Sequence, residues 1–225
     1  MARKAALNYF DRTLVLLKSY SIRISFTNLT PLSHISLMFL LACFLVNCDS
    51  ELRRSDYIKW IQDYQNKIHV RSTISHFIVD LQYQPAEYVL LQRGIENYSG
   101  AARAVELKTL SGIQYYTLIL SRKDGTDLVN YGVNDPVEKQ ERLYYFSYRF
   151  QDDITLEEDG KILPCVLYHS ERPADPNGGR TFVLGFENQN ANSALAKVVI
   201  RSDLFSTLPI KIEIAKSNIP KLIYD

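Results

Sequence analysis

One apolar run limits what this chain can be. Ile35–Val46 is twelve residues long, contains no charged residue and is interrupted only by Ser36. A helix that crosses the hydrocarbon core of a membrane needs about 20 apolar residues, so this run is too short to span it. Its length matches the hydrophobic region of a secretory signal, which is roughly 7–15 residues.

The residues on both sides of the run fit such a signal. Before it, the chain contains one acid, Asp11, and five basic residues: Arg3, Lys4, Arg12, Lys18 and Arg23. This basic segment is longer than the usual n-region, which favours a translation start closer to the run. After it, the chain turns polar at Asp49. We therefore expect residues 1–47 to be a cleaved signal peptide.

The end of the run resembles the lipobox of bacterial lipoproteins. Residues 45–48 (LVNC) carry the resemblance, although Asn47 replaces the small residue that usually precedes the cysteine. A rival segment, residues 40–43 (LLAC), fits that rule better, but the apolar residues 44–46 would then follow the anchor, where polar residues are normal. The resemblance implies that Cys48, with Cys43 as its rival, receives diacylglycerol and becomes the new N-terminus.

This resemblance also implies a location and a domain organisation. The protein is expected to be lipid-anchored on the extracytoplasmic side of the bacterial cell envelope, in the outer rather than the inner membrane. Residues 48–54 would be a lipidated tether, and residues 55–225 a single β-rich globular domain. A buried core helix or an ordinary membrane anchor is the alternative interpretation of the apolar run.

Composition without the leader excludes some classes of function. The leader removes five basic residues and one acid, which leaves the domain slightly acidic. Nucleic-acid binding needs a concentrated basic face, so no nucleic-acid partner is expected. Cys165 becomes the only cysteine besides the lipidated one, and no internal disulfide can form. The 15 tyrosines fit a β-rich extracytoplasmic domain.

Periodicity and capping residues predict the secondary structure. Tyr57, Trp60, Ile61 and Tyr64 lie on one face of a helix. Helices are also predicted after Pro85, after Ser99 and from Asp135-Pro136 to Tyr144. Strands are predicted at Ile68–Tyr83, Ile113–Leu120, Tyr145–Phe150, Ile154–Leu156, Ile162–Ser170, Thr181–Phe186, Leu195–Ile200 and Ile210–Ile214, with a tail at Lys221–Asp225. The fold class is thus α+β, with a predominantly antiparallel, sandwich-like sheet and N-terminal helices.

No pattern of a known catalytic or metal site stands out. If Cys165 and His169 share a strand, they lie about 13 Å apart, too far for a catalytic dyad. The histidines do not have the spacing of a zinc motif. The acidic group Asp152, Asp153, Glu157, Glu158 and Asp159 lacks EF-hand spacing and is interpreted as a solvated hairpin tip, and residues 175–179 (DPNGG) as a turn. We therefore predict no metal and no cofactor.

Aromatic residues are the remaining candidates for a binding site. Tyr145 and Tyr148 lie in one aromatic group, Tyr115 in another, and Trp60 is the only tryptophan. Side chains on one face could form a platform for a sugar ring or a peptide, although cross-strand packing produces the same pattern. The Trp60 face is expected to pack on the domain, with docking to a partner or the membrane as the alternative.

These observations predict a lipid-anchored envelope protein that acts by binding or as a structural component. Its expected partners are the membrane and an envelope protein or glycan. A carbohydrate- or peptide-binding module with an aromatic face is the first alternative. A lipid-anchored hydrolase with a site assembled from distant residues is the second, so the sequence favours a non-catalytic role without deciding it.

Overall fold

The computed structural model describes residues 50–94, 99–171, 179–190 and 192–224. The predicted signal peptide and both candidate lipidation sites, Cys43 and Cys48, lie outside the described residues. All of the predicted turn at residues 175–179 except Gly179 lies outside them as well. Among the described helices, none has the length and apolar character needed to cross a bilayer.

Capping side chains mark the starts of two of the described helices. Ser99 Oγ accepts a hydrogen bond from the Ala102 N–H, and Asp135 Oδ1 accepts bonds from the first turn of the helix that follows it. Gly94 adopts a left-handed φ of 69° just after another helix. The α-helices are α1 (Arg54–Gln62), α2 (Ala86–Gln92), α3 (Gly100–Leu110) and α4 (Pro136–Tyr144).

Alternating burial defines the strands. In β4, for example, Gln114, Tyr116, Leu118 and Leu120 face the interior. The strands are β1 (Glu51–Arg53), β2 (His69–Ile74), β3 (Phe77–Gln84), β4 (Ile113–Arg122), β5 (Ile154–Glu158), β6 (Lys161–Ser170), β7 (Arg180–Glu187), β8 (Leu195–Ile200), β9 (Ile210–Ala215) and β10 (Lys221–Ile223).

Eight of the described strands form one antiparallel sheet. Its order is β2-β3-β4-β7-β6-β5-β8-β9. The sheet curves so far that its two outer strands approach each other, and the Ala215 N–H donates to the Lys67 carbonyl across this gap at 3.0 Å. Side chains from β3 through β9 consequently fill a single core. This architecture confirms the predicted α+β class with a predominantly antiparallel sheet.

Both ends of the described chain differ from their predicted roles. Glu51–Arg53, expected in a polar tether, forms β1, and Lys221–Ile223, expected in a tail, forms β10. The two strands pair in parallel, and Leu222 is buried with Tyr57 and Ile61 of α1. Burial of these apolar side chains explains why short polar segments become ordered here.

The predicted strand Ile68–Tyr83 is a hairpin. Residues 69–74 and 77–84 pair with each other, and Ser75 takes a left-handed φ of 55° at the turn. Serine is not a strong turn signal in this conformation. The apolar and polar residues alternate on both sides of Ser75, so the pattern predicts one continuous strand instead of two.

The prediction of a strand at Tyr145–Phe150 is wrong. Tyr145–Arg149 forms a π-helical turn that continues α4, and Phe150–Asp153 forms a 3₁₀ turn. The aromatic side chains give this segment a high strand propensity. However, Phe146 and Phe150 are four residues apart and both fully buried, which is the spacing of a helical face.

Two arginines fix the loop that precedes α4. Arg122 at the end of β4 forms a fork with Asp124, with N–O distances of 3.0 and 2.6 Å. Arg180 at the start of β7 binds both oxygens of Asp127 at 3.0 Å. Both arginine side chains are buried, and such bidentate pairs are strongly directional. The sheet therefore sets where α4 and the following turns begin.

Candidate ligand-binding cleft

The π-helical turn sorts its aromatic residues onto two faces. Phe146 and Phe150 point into the core, whereas Tyr144 and Tyr148 point to solvent. Each pair is separated by four residues, so its members lie next to each other on one side of the helical segment. π-helical turns are frequent at functional sites because they shift side chains out of the α-helical register.

Tyr144 and Tyr148 form an exposed aromatic pair. They are 56% and 66% exposed, which is unusual for side chains of this size. Their ring centroids are 5.2 Å apart and the planes are tilted by 44°. The two rings thus present an angled apolar surface rather than a flat platform.

A cleft of about 390 Å³ lies between this segment and β6. Its volume is within the range of small-ligand sites, roughly 300–1,000 Å³. No carboxylate, lysine or arginine faces it among the described residues, so its chemistry is that of hydroxyl, amide and aromatic groups plus one imidazole. It is lined by Ser147, Tyr148, Gln151, Tyr168, His169 and Ser170.

Hydrogen bonds hold the two walls of the cleft together. The Tyr168 hydroxyl donates to the Phe146 carbonyl, and Gln151 Nε2 donates to the Cys165 carbonyl at 3.0 Å. Burial raises the pKa of Tyr168, so its hydroxyl remains a donor across the physiological range. The cleft is therefore bounded by elements whose relative positions are fixed.

The other predicted binding residues do not join this cleft. Tyr145 is half-buried, and its hydroxyl donates to Asp153 Oδ2 at 2.6 Å and also contacts Ser202. Tyr115 packs beside the α2–α3 cluster, and Trp60 packs beside the cluster formed by α1. Of the four aromatic candidates, the structure places only Tyr148 at the cleft. Tyr144, outside the predicted set, stands beside it.

Cys165 and His169 cannot form a dyad. The Cys165 side chain is buried in the core, whereas His169 is exposed. An irregularity in the pairing of β6 with β7 between Cys165 and Leu167 changes the alternation of faces. Burial raises the pKa of the Cys165 thiol to about 11. The prediction that Cys165 is a small buried residue is confirmed.

The acidic hairpin contains a buried ion pair that the sequence analysis missed. Glu158, predicted at a solvated tip, is the third inward residue of β5 after Ile154 and Leu156. Its carboxylate binds the ammonium of Lys216 and accepts a bond from Gln114 Nε2 at 2.8 Å. Lys216 also donates to Gln114 Oε1 at 2.9 Å. Strand alternation would have placed Glu158 inside, but its charge argued against this position.

A second charged network lies at the outer strands β2 and β3. His69 Nδ1 is 2.9 Å from the Gln62 carbonyl, and Nε2 is 2.5 Å from Asp80 Oδ1. Both partners are acceptors, so the two bonds require a doubly protonated ring. Tyr64 stacks on the imidazole and donates to Asp80 Oδ2 at 2.8 Å. With both nitrogens engaged, His69 is not placed to act as a base.

The pKa of His69 reflects these contacts. Burial disfavours the charged ring, but the hydrogen bonds to Asp80 and Gln62 outweigh burial and raise the pKa above its usual value. Burial likewise disfavours the Asp80 carboxylate, yet its bonds from His69 and Tyr64 lower its pKa. The described residues contain no group of three or more His, Cys, Asp or Glu side chains arranged to hold a metal ion.

Comparisons with known proteins add little to this geometry. No protein-family model matches the sequence, and no curated protein matches it. A DUF4426 family protein from Pseudomonas aeruginosa PAO1 is 9% identical, with a TM-score of 0.32 over 68% of this chain and 95% of that one. A protein of unknown function from Burkholderia pseudomallei K96243 is 12% identical, with a TM-score of 0.32 over 74% and 92%. Likeness at this level carries no functional argument.

The His69 network predicts a pH-dependent stability. The pKa of His69 is higher in the folded protein than in the unfolded chain, where it is about 6.5. The stabilisation that His69 provides is therefore fully present below the unfolded pKa and is lost as the pH rises through the folded pKa. The free energy of unfolding of the wild type, measured by urea denaturation, should therefore fall as the pH rises above about 6.5. His69→Gln should flatten this fall. The matched control His76→Gln, at an exposed histidine of the β2–β3 turn, should retain it, and equal profiles for both variants would contradict the assignment.

Proposed function

We propose that this protein is a lipid-anchored, extracytoplasmic envelope protein that binds a ligand in the cleft beside Tyr148. The observation that carries the proposal is the exposed Tyr144–Tyr148 pair at the rim of a cleft lined by polar, largely uncharged groups. Tyrosine combines a large apolar surface with a hydrogen-bonding tip and loses little conformational freedom on binding.

The lining of the cleft favours an uncharged ligand. A charged ligand would need an opposite charge to offset its desolvation, and the described lining offers only an imidazole. The Ser147 hydroxyl already donates to the Leu143 carbonyl at 2.7 Å but can still accept. A polar, uncharged molecule with an apolar face, either a carbohydrate or a peptide backbone, satisfies these groups.

The proposed anchor would hold the domain close to a membrane. Only Asp49 and Ser50 separate Cys48 from β1, which begins at Glu51. A diacylglycerol chain on Cys48 would therefore attach the membrane almost directly to the β1–β10 pair. The sequence around Cys48 supports this part of the proposal, because the apolar run ends just before Cys48 and a polar segment follows it.

Substitution of Tyr148 tests the binding proposal. The full-length protein in detergent would be presented with an array of neutral oligosaccharides and with a phage-displayed library of random peptides. Tyr148→Ala should weaken binding of any selected ligand by about tenfold, which corresponds to the loss of about 1.4 kcal/mol from an aromatic contact. The control Leu208→Ala removes an exposed apolar side chain outside the cleft lining and should bind like the wild type. No binding by either class of probe, or equal binding by Tyr148→Ala, would contradict the proposal.

Metabolic labelling tests the anchor. Cells would be fed a clickable analogue of palmitate, and the immunoprecipitated protein would be examined for the label. We expect label in the wild type and in Cys43→Ala, and none in Cys48→Ala, because only the thiol at position 48 would be acylated. Label retained by Cys48→Ala would assign the anchor to Cys43, and absence of label from the wild type would remove the anchor altogether.

A further inference from the structure

One side of the cleft is a strand edge that no strand of the described residues pairs with. β6 runs from Lys161 to Ser170, but β5 pairs with it only as far as Pro164. On its other side, β7 continues to pair with β6 up to Ser170. Within the described residues, the second half of β6 is therefore bordered by a strand on one side only. The helical turns of residues 145–153 lie on the open side and leave the cleft between.

The antiparallel register identifies which backbone groups face this edge. The Glu171 N–H donates to the Thr181 carbonyl, so His169 and Leu167, at alternate positions, direct their backbone groups towards β7. Tyr168 and Ser170 must then direct their N–H and C=O groups away from β7, towards the cleft. Both residues line that cleft. No described residue supplies a hydrogen-bond partner to these four groups.

At one point on this edge, a side chain supplies the hydrogen bond that a neighbouring strand would otherwise make. Gln151 Nε2 donates to the Cys165 carbonyl at 3.0 Å, at the point where β5 has ended. A side-chain amide thus takes the place that the backbone amide of a paired strand would occupy. Beyond Gln151, no equivalent side chain among the described residues reaches Tyr168 or Ser170.

We propose that the cleft binds an extended peptide segment of a partner protein, which pairs with the Tyr168–Ser170 edge of β6 and rests a side chain on Tyr148. This inference depends on the proposed binding function and specifies its ligand. The exposed groups of Tyr168 and Ser170 repeat at about 6.7 Å, twice the rise of a strand residue, and a peptide strand repeats its own groups at this interval. Strand addition of this kind obtains its affinity from main-chain bonds and its specificity from side-chain pockets.

The peptide is expected to be uncharged where it enters the cleft. Alternate side chains of an added strand would point towards the tyrosine rim, where an apolar or aromatic side chain can pack on the exposed rings. The charged pair Arg149–Asp152 lies next to the lining in sequence, but its members bind each other at 3.3 Å. A neutral sugar would use the same rings but would not need the two backbone donors at strand spacing.

Proline substitution at Ser170 tests the pairing directly. The Ser170 N–H faces the cleft, so Ser170→Pro removes an edge donor without removing a bond to β7. Ser170→Ala keeps the backbone donor and is the matched control. The tightest peptide selected from the phage-displayed library would be synthesised, and its binding to the full-length protein would be measured by calorimetry. We expect Ser170→Pro to weaken binding about tenfold or more. Ser170→Ala should change the affinity by less than about threefold.

Amide hydrogen exchange supplies a second readout on the unmodified protein. Binding of the same peptide should slow exchange at Tyr168 and Ser170 but leave Leu167 and His169 unchanged, because the latter are already bonded to β7. If Ser170→Pro does not fold, hydrogen exchange still tests whether the peptide pairs with the edge of β6. Unchanged affinity in a folded Ser170→Pro variant, or unchanged exchange at Tyr168 and Ser170, would overturn strand pairing.

The outcomes also separate this inference from the proposed function. Binding of neutral oligosaccharides, weakened by Tyr148→Ala and without any selected peptide, would overturn the peptide assignment and keep the cleft as a binding site. Failure of both probe classes to bind would overturn both. Peptide binding that requires Tyr148 and the Ser170 N–H supports both.

Discussion

The buried contact between Glu158 and Lys216 joins β5 to the segment that follows β9. Their side chains are only 2% and 5% exposed, respectively. Burying either charge alone would cost several kcal/mol, so each needs the other and both use Gln114 as a third partner. These residues belong to β5, to the segment after β9 and to β4. The network therefore joins parts of the curved sheet that are far apart in the chain.

At the end of β4 and the start of β7, away from Gln114, two arginine–aspartate pairs hold a loop against the sheet. The Arg122–Asp124 and Arg180–Asp127 forks anchor the loop before α4, and Phe146 and Phe150 then enter the core. This anchoring determines where Tyr144 and Tyr148 emerge at the surface. The cleft is thus positioned by the core and by the ion pairs of two buried arginines.

Much of the fold could be predicted from local patterns. Alternation of apolar residues located most strands, and Asp135-Pro136 and Ser99 located the starts of two helices, because these signals act over a few residues. The helical turn at Tyr145–Phe150 was misassigned because aromatic residues favour strands, whereas the i, i+4 pairing of its inward phenylalanines decides the structure. β1 and β10 could not be found, since each is three residues long and ordered mainly by its partner.

The candidate site was less predictable than the fold. Tyr148, one of the four aromatic candidates, lines the cleft, whereas Trp60 and Tyr115 pack beside other apolar clusters. Among the described strands, β7 pairs with β6 further along than β5 does, and this unequal pairing is not encoded by any single segment. Glu158 and Gln114 follow the inward alternation of their strands, but their polar side chains obscured this signal.

A double-mutant cycle on Glu158 and Lys216 tests the central claim that each of these two buried charges needs the other as its partner. The free energy of unfolding would be measured by urea denaturation for Glu158→Gln, Lys216→Met and the double variant. Each single variant leaves an unpaired buried charge or polar group and should lose about 3–5 kcal/mol, whereas the double variant should lose much less than the sum. Additive effects below about 1 kcal/mol each would show that the two side chains are not coupled in the folded protein.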